Sequence, residues 1–207
     1  MKGLIIKDMF ALRKQGKMML MIGAFYIAFS VFTKNISMLS AMTAVICSMM
    51  PITTMSYDEF CKWDRYALAM PVSGRTIVLS KYILGGILTL AGFLTVSAAS
   101  IAVVAITGEM QIGEAIFISF VVSIASLGLQ AILLPILFKF GVEKGRFILL
   151  PLFLVPMAAV FLLSKLGFTL PDTHTLKLLG YFSPAVVILI VIASVFLSIN
   201  IYSKKEF

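Results

Sequence analysis

Six stretches of this 207-residue chain are apolar and almost free of charge over most of the length a helix needs to cross a bilayer. They fall at about 17–32, 36–56, 77–107, 112–138, 147–165 and 181–202. A hydrocarbon layer about 30 Å thick asks for roughly 20 residues of helix. The first run is therefore short and must borrow from its flanks, while the third and fourth are long enough to tilt or to extend beyond the bilayer. A backbone in lipid has to satisfy its own hydrogen bonds, which favours closed helices. A membrane β-barrel would show alternating segments of about ten residues instead, and these runs do not alternate. With 61% hydrophobic and 13% charged residues, the expected fold is an all-α polytopic membrane protein, one transmembrane domain over residues 1–207.

The basic residues set the expected orientation, because short loops rich in lysine and arginine stay in the cytoplasm. Fourteen of the seventeen lie before the first span, between spans two and three, between spans four and five, or in the tail. Only Lys34, Lys165 and Lys177 lie on the other side. Six spans with both termini in the cytoplasm satisfy this count. The net charge of +8 then reads as a topology signal and a contact for membrane lipid phosphates, with no nucleic-acid partner expected. No small-residue cleavage pattern follows the first apolar run, so it is expected to stay as a helix. Cys47 falls inside a span and Cys61 outside one, so neither a disulfide nor a metal pair is expected.

Residues 1–17 differ in character from the spans. Ile5, Met9 and Leu12 recur at helical spacing, Ile6 and Phe10 widen the stripe, and Lys7 and Lys14 share the opposite side. This predicts a helix lying in the membrane interface, although a plain basic leader would carry the same charges.

The densest polar segment follows the second span. Tyr57, Asp58, Glu59, Phe60, Lys62, Trp63, Asp64, Arg65 and Tyr66 crowd acids, bases and aromatics into ten positions before Pro71 and Gly74 break the chain. If residues 57–70 are helical, Asp58, Lys62 and Arg65 are spaced for side-by-side ion pairs, and Glu59, Lys62 and Trp63 are spaced to lie side by side likewise, with Glu59 and Lys62 as the charged partners. Trp63 is the one tryptophan, and tryptophan, tyrosine and arginine are common anchors of protein interfaces. An interfacial aromatic belt would explain the rings but not the compact mixture of both charge signs.

The order Tyr57-Asp58-Glu59, then Trp63, Tyr66, the turn from Leu68 to Ser73, and Lys81-Tyr82 in the next span resembles the small permease subunits of ABC type-2 transporters. Within that family it is most similar to exporters of phenol-soluble modulins and related amphipathic peptides. The resemblance implies that Tyr57, Asp58, Glu59, Phe60, Lys62, Trp63, Arg65 and Tyr66 couple the permease to a separate ABC ATPase subunit present in two copies. It also implies a second permease, identical or different, in a bacterial cell membrane, and a peptide substrate. ATP and Mg would be bound by the ATPase, since this chain has no Gly-x-x-x-x-Gly-Lys-Ser/Thr phosphate loop and no cofactor of its own is expected. Residues 165–180, leucine-rich yet polar, correspond to an outer re-entrant segment in that family.

Met38, Met42, Met49 and Thr53 give span two a soft, mildly polar surface that could line a path for greasy peptides, although helix packing uses the same residue types. Glu109 and Glu114 flank an outer turn, Glu143 lies in a loop, and Lys81 is near the inner edge, where it can snorkel. Without a deep acid, an ion-coupled secondary carrier is the weaker alternative, followed by a non-transporting immunity or adaptor subunit.

Overall fold

The computed structural model describes residues 1–33, 36–63, 66–67, 73–108, 111–165 and 173–204. Among them the regular structure is entirely helical, in five elements: α1 (Lys2–Thr33), α2 (Ile36–Phe60), α3 (Gly74–Thr107), α4 (Ile112–Lys165) and α5 (Thr173–Ser203). Five stretches of these are long and apolar enough to cross a membrane, namely Gln15–Thr33, Ser37–Phe60, Gly74–Ile106, Ile112–Gly145 and Leu178–Ser203. This is the polytopic all-helical class expected from the sequence.

The number of passes follows from a break in α4. At Gly141 the backbone takes φ 79° and ψ 171°, a region open essentially to glycine alone, which divides this 54-residue element in two. The first half of α4 runs parallel to α5. Near their starts Gly180 sits against Phe117 and Val121, and near their far ends the Phe138 and Tyr202 rings meet edge to face at 5.7 Å. The second half, beginning at Val142, carries the chain back between them and coincides with the fifth run of the sequence. Most side chains of that half lie outside the described residues.

The start of α1, the end of α2, the start of α3, the break in α4 and the end of α5 meet at one end of the bundle, the junction end. There Ala67, Ile77, Val78, Leu134, Phe138 and Tyr202 form a buried cluster, with Leu4 and Trp63 packed against it. Local sequence explains the ends of α3. Ser73 stands at the N-cap, its hydroxyl accepting from the Thr76 N–H at 3.4 Å, and Gly108 closes the other end in the left-handed region at φ 67°.

Helix α3 touches every other helix, with α1 resting on α2 and α3, and α5 on α3 and α4. In lipid the hydrophobic effect does not drive helices together, so close approach and hydrogen bonding must hold them. Gly92 gives the approach, since a methyl there would collide with Cys47 Sγ. Gln130 Nε2 donates to the Cys47 carbonyl at 3.1 Å and to Thr89 Oγ1 at 2.9 Å, joining α4 to α2 and α3. Tyr82 Oη lies 2.5 Å from Ser194 Oγ and 2.8 Å from Ser198 Oγ, tying α3 to α5. Hydroxyls of Ser40, Ser100 and Ser119 meet at 3.4–3.5 Å between α2, α3 and α4.

Helix α1 runs from Lys2 to Thr33 as one 32-residue element, so the interfacial stretch expected over 1–17 continues into the span without a separate helix. This is how the short first run gains its length. The expected apolar stripe divides. Leu12 is buried and Leu4 packs on the junction cluster, whereas Ile6, Met9 and Phe10 face outward, each more than half exposed. Of the re-entrant segment expected at 165–180, residues 166–172 lie outside the described residues, and Thr173 onward belongs to α5.

Candidate functional site

The dense polar segment after the second span enters the junction end as the tail of α2. Helix α2 carries Tyr57, Asp58, Glu59 and Phe60, a turn follows at Cys61 and Lys62, and Trp63, Tyr66 and Ala67 are helical beyond it. Lys62 adopts φ 51°, in the left-handed region that a lysine adopts at some cost. The single helix that would align Asp58 with Lys62 and Arg65, or Glu59 with Lys62 and Trp63, is interrupted there. Arg65 and Asp64 lie outside the described residues, as do residues 68–72.

Asp58 instead joins a four-residue ion-pair network. Lys81 Nζ, from α3, lies 2.5 Å from Asp58 Oδ2, 2.8 Å from Asp8 Oδ2 and 3.4 Å from Thr54 Oγ1. Lys7, from α1, bonds to Asp58 Oδ1, and its ammonium is 3.2 Å from Asp8 Oδ1 as an ion pair without hydrogen-bond geometry. The Lys81 side chain is 4% exposed and that of Asp8 1%. The expectation that Lys81 snorkels to the membrane edge is thereby corrected, since two carboxylates meet it inside the bundle. Two acids and two lysines leave the network formally neutral. Neutrality is what permits its burial, because removing one partner from a buried pair strands the other charge at about 3–5 kcal/mol.

Glu59 points away from that network to the break in α4. Its Oε2 accepts a hydrogen bond from the Val142 N–H at 2.8 Å, at the N-terminal end of the second half of α4, where a carboxylate also meets the positive end of the helix dipole. A Cβ at Gly141 would stand 2.8 Å from Glu59 Oε1, so space as well as φ calls for glycine. A cavity of about 60 Å³ between Asp58, Glu59, Lys81, Gly141 and Tyr202 separates the two acidic arms. Trp63 is half-buried on the junction cluster, with Lys7 Nζ 4.3 Å from its ring centroid.

The seven described residues of the eight expected to form one coupling surface therefore serve two directions. Asp58, Glu59 and Trp63 reach α1, α3, α4 or the core, and Tyr57 is half-buried. Phe60, 87% exposed, points outward with Lys62 and Tyr66. Sequence reasoning passed over Asp8 and Gly141. Asp8 had a signal, as the one acid before Asp58, and Lys81 is the one charge between residues 76 and 108, which invites a pair.

The residues expected along a substrate path are spread over two environments. Met38 and Met42 are exposed on α2, while Met49 packs beside Ile52, Leu133, Leu137 and Val142. Thr53 returns its hydroxyl to the Met49 carbonyl at 3.1 Å within the helix.

No curated protein and no solved structure gives a match to the chain. A family model described as ABC-2 family transporter protein matches residues 3–203. That match spans nearly the whole helical bundle, and the chain belongs to the ABC-2 family of transporter proteins.

Proposed function

We propose that this ABC-2 permease is the membrane subunit of an ATP-driven exporter, with the junction end facing the cytoplasm and gripped there by a separate ATPase. The observation that carries the reading is the division of the segment after α2. Phe60 and Tyr66 stay 87% and 64% exposed beside Lys62, on a backbone anchored from within by Asp58 and Glu59. Large aromatics held on a rigid support suit interface anchors, which often contribute about 2 kcal/mol or more each.

Movement delivered to Phe60 and Tyr66 would reach two places. Glu59 passes it to Val142 and the second half of α4, and Asp58 passes it to Lys81 on α3 and to Lys7 on α1. The subunit would thus respond by rigid-body shifts of whole helices. ATP and Mg belong to the ATPase, of which two copies would serve a pair of permeases in a bacterial cytoplasmic membrane. Amphipathic peptides are the proposed substrates, supported by the family resemblance and by the exposed methionines Met38 and Met42, whose side chains adapt to varied partners.

The test is mild-detergent purification of the tagged chain from its native membranes, with mass spectrometry of bound proteins and an ATPase assay. The expected result is a stoichiometric subunit with a phosphate loop, lost by more than tenfold in the Phe60→Ala, Tyr66→Ala double variant. A chain that elutes without an ATPase, under conditions that keep comparable complexes whole, would overturn the reading and leave an ion-coupled carrier as the working model.

A further inference from the structure

A groove of about 690 Å³ opens along the face that α1 turns toward α2 and α3, within the ~300–1,000 Å³ range of small-molecule sites. Its wall on α1 includes Arg13, Gly16 and Gly23, with Thr43 on α2 and Thr95 on α3. Glycines in membrane helices commonly let a neighbour close in. Here a Cβ at Gly16 or Gly23 would meet nothing within 4 Å, so α1 stands off from its neighbours at these two glycines.

Among its described lining residues the groove has one charged group, Arg13. Thr43 Oγ1 donates to the Leu39 carbonyl and Thr95 Oγ1 to the Gly92 carbonyl, both at 2.9 Å, so each hydroxyl is satisfied within its own helix. Arg13, at the mouth nearest the junction end, is exposed and makes no ion pair among the described residues. From Arg13 to Gly23 the helix rises roughly 15 Å, about the depth of one leaflet of a 30 Å hydrocarbon layer.

From these features we infer that the groove holds an acyl chain of an anionic phospholipid, with the phosphate at the Arg13 guanidinium. A cation over a one-leaflet apolar slot matches such a lipid in charge and in depth. An amphipathic peptide matches less well, because apart from Arg13 the groove offers its polar face only the hydroxyl oxygens of Thr43 and Thr95, each already donating within its own helix. The bound lipid completes the packing of α1 and makes its position depend on membrane composition.

The test uses the full chain in mild detergent, titrated with phosphatidylglycerol or phosphatidylcholine and read by native mass spectrometry. A phosphatidylglycerol carrying a photoreactive group on its acyl chain maps the site. Wild type is expected to retain one phosphatidylglycerol with about a fivefold preference, the size of one basic residue meeting an anionic surface. Arg13→Gln should abolish the preference, Arg13→Lys should keep it, and Gly23→Leu should lower retention of both lipids. Photolabel on α1, α2 and α3 of the wild type supports the inference even if Gly23→Leu fails to fold. Unchanged preference in Arg13→Gln, label confined to other helices, or a Gly23→Leu variant that changes only the oligomeric state would overturn it.

Discussion

The two halves of α1 are held in opposite ways. Its foot, from Leu4 to Leu12, is fixed by charge and packing. Asp8 and Lys7 pair with Asp58 and Lys81, Leu12 is buried, and Leu4 sits on the junction cluster. Its shaft, Gln15–Thr33, is 6% buried, against 44% for the second span, Ser37–Phe60, and faces the apolar groove. The contrast shows how one membrane helix can be held firmly by charge at its foot and loosely by apolar contact along its shaft. Ion pairs suit the foot because the junction buries them in protein, while the shaft has open space at Gly16 and Gly23 and meets the bundle again near its end, where Ser30 is buried and Val31 packs on Val103 and Val104.

The most damaging way to break the contrast is Lys81→Met. It strands Asp8 and Asp58 together, and the expected loss is about 3–5 kcal/mol of stability, measured by denaturation of the purified chain in detergent. The double variant Asp8→Asn, Lys81→Met should recover part of that loss, since fewer buried charges remain unmatched. Next is Gly141→Ala, which forces a side chain into a conformation that costs about 1–3 kcal/mol and crowds Glu59. Its effect should appear as faster hydrogen exchange at Val142. Gln130→Leu, in the middle of the bundle, removes two interhelical hydrogen bonds and should cost about 0.6–2 kcal/mol by the same denaturation assay. The smallest effect is expected in the shaft, where Gly23→Leu meets open space and should shift stability by about 0.5 kcal/mol or less.

These sites differ in how plainly the sequence announces them. The spans follow from length and hydropathy, because lipid imposes both on any crossing helix. The importance of the segment from Tyr57 to Tyr66 follows from its crowding of charge and aromatics in an apolar chain. Its internal geometry does not follow, because spacing along one helix cannot show that Lys62 leaves the helical region or that partners arrive from α1, α3 and α4. Asp8 hides among the lysines of a basic leader. Gly141 hides because glycine is common in membrane helices, and its role depends on a φ that no sequence pattern specifies. Met38, Met42, Met49 and Thr53, the residues expected along a path, share one helical stripe, yet their burial depends on where α4 lies, which periodicity along α2 cannot reveal.

The most direct measurement compares the outward pair with the inward network in one protein. Thermal unfolding and retention of the ATPase would be recorded side by side for Phe60→Ala, Tyr66→Ala and for Lys81→Met. If Asp58 and Glu59 brace the segment while Phe60 and Tyr66 grip the partner, the aromatic variant melts like wild type and loses the ATPase. Lys81→Met then melts early. An aromatic variant that keeps its ATPase at wild-type stability, with Lys81→Met equally unperturbed, would contradict the division of the segment.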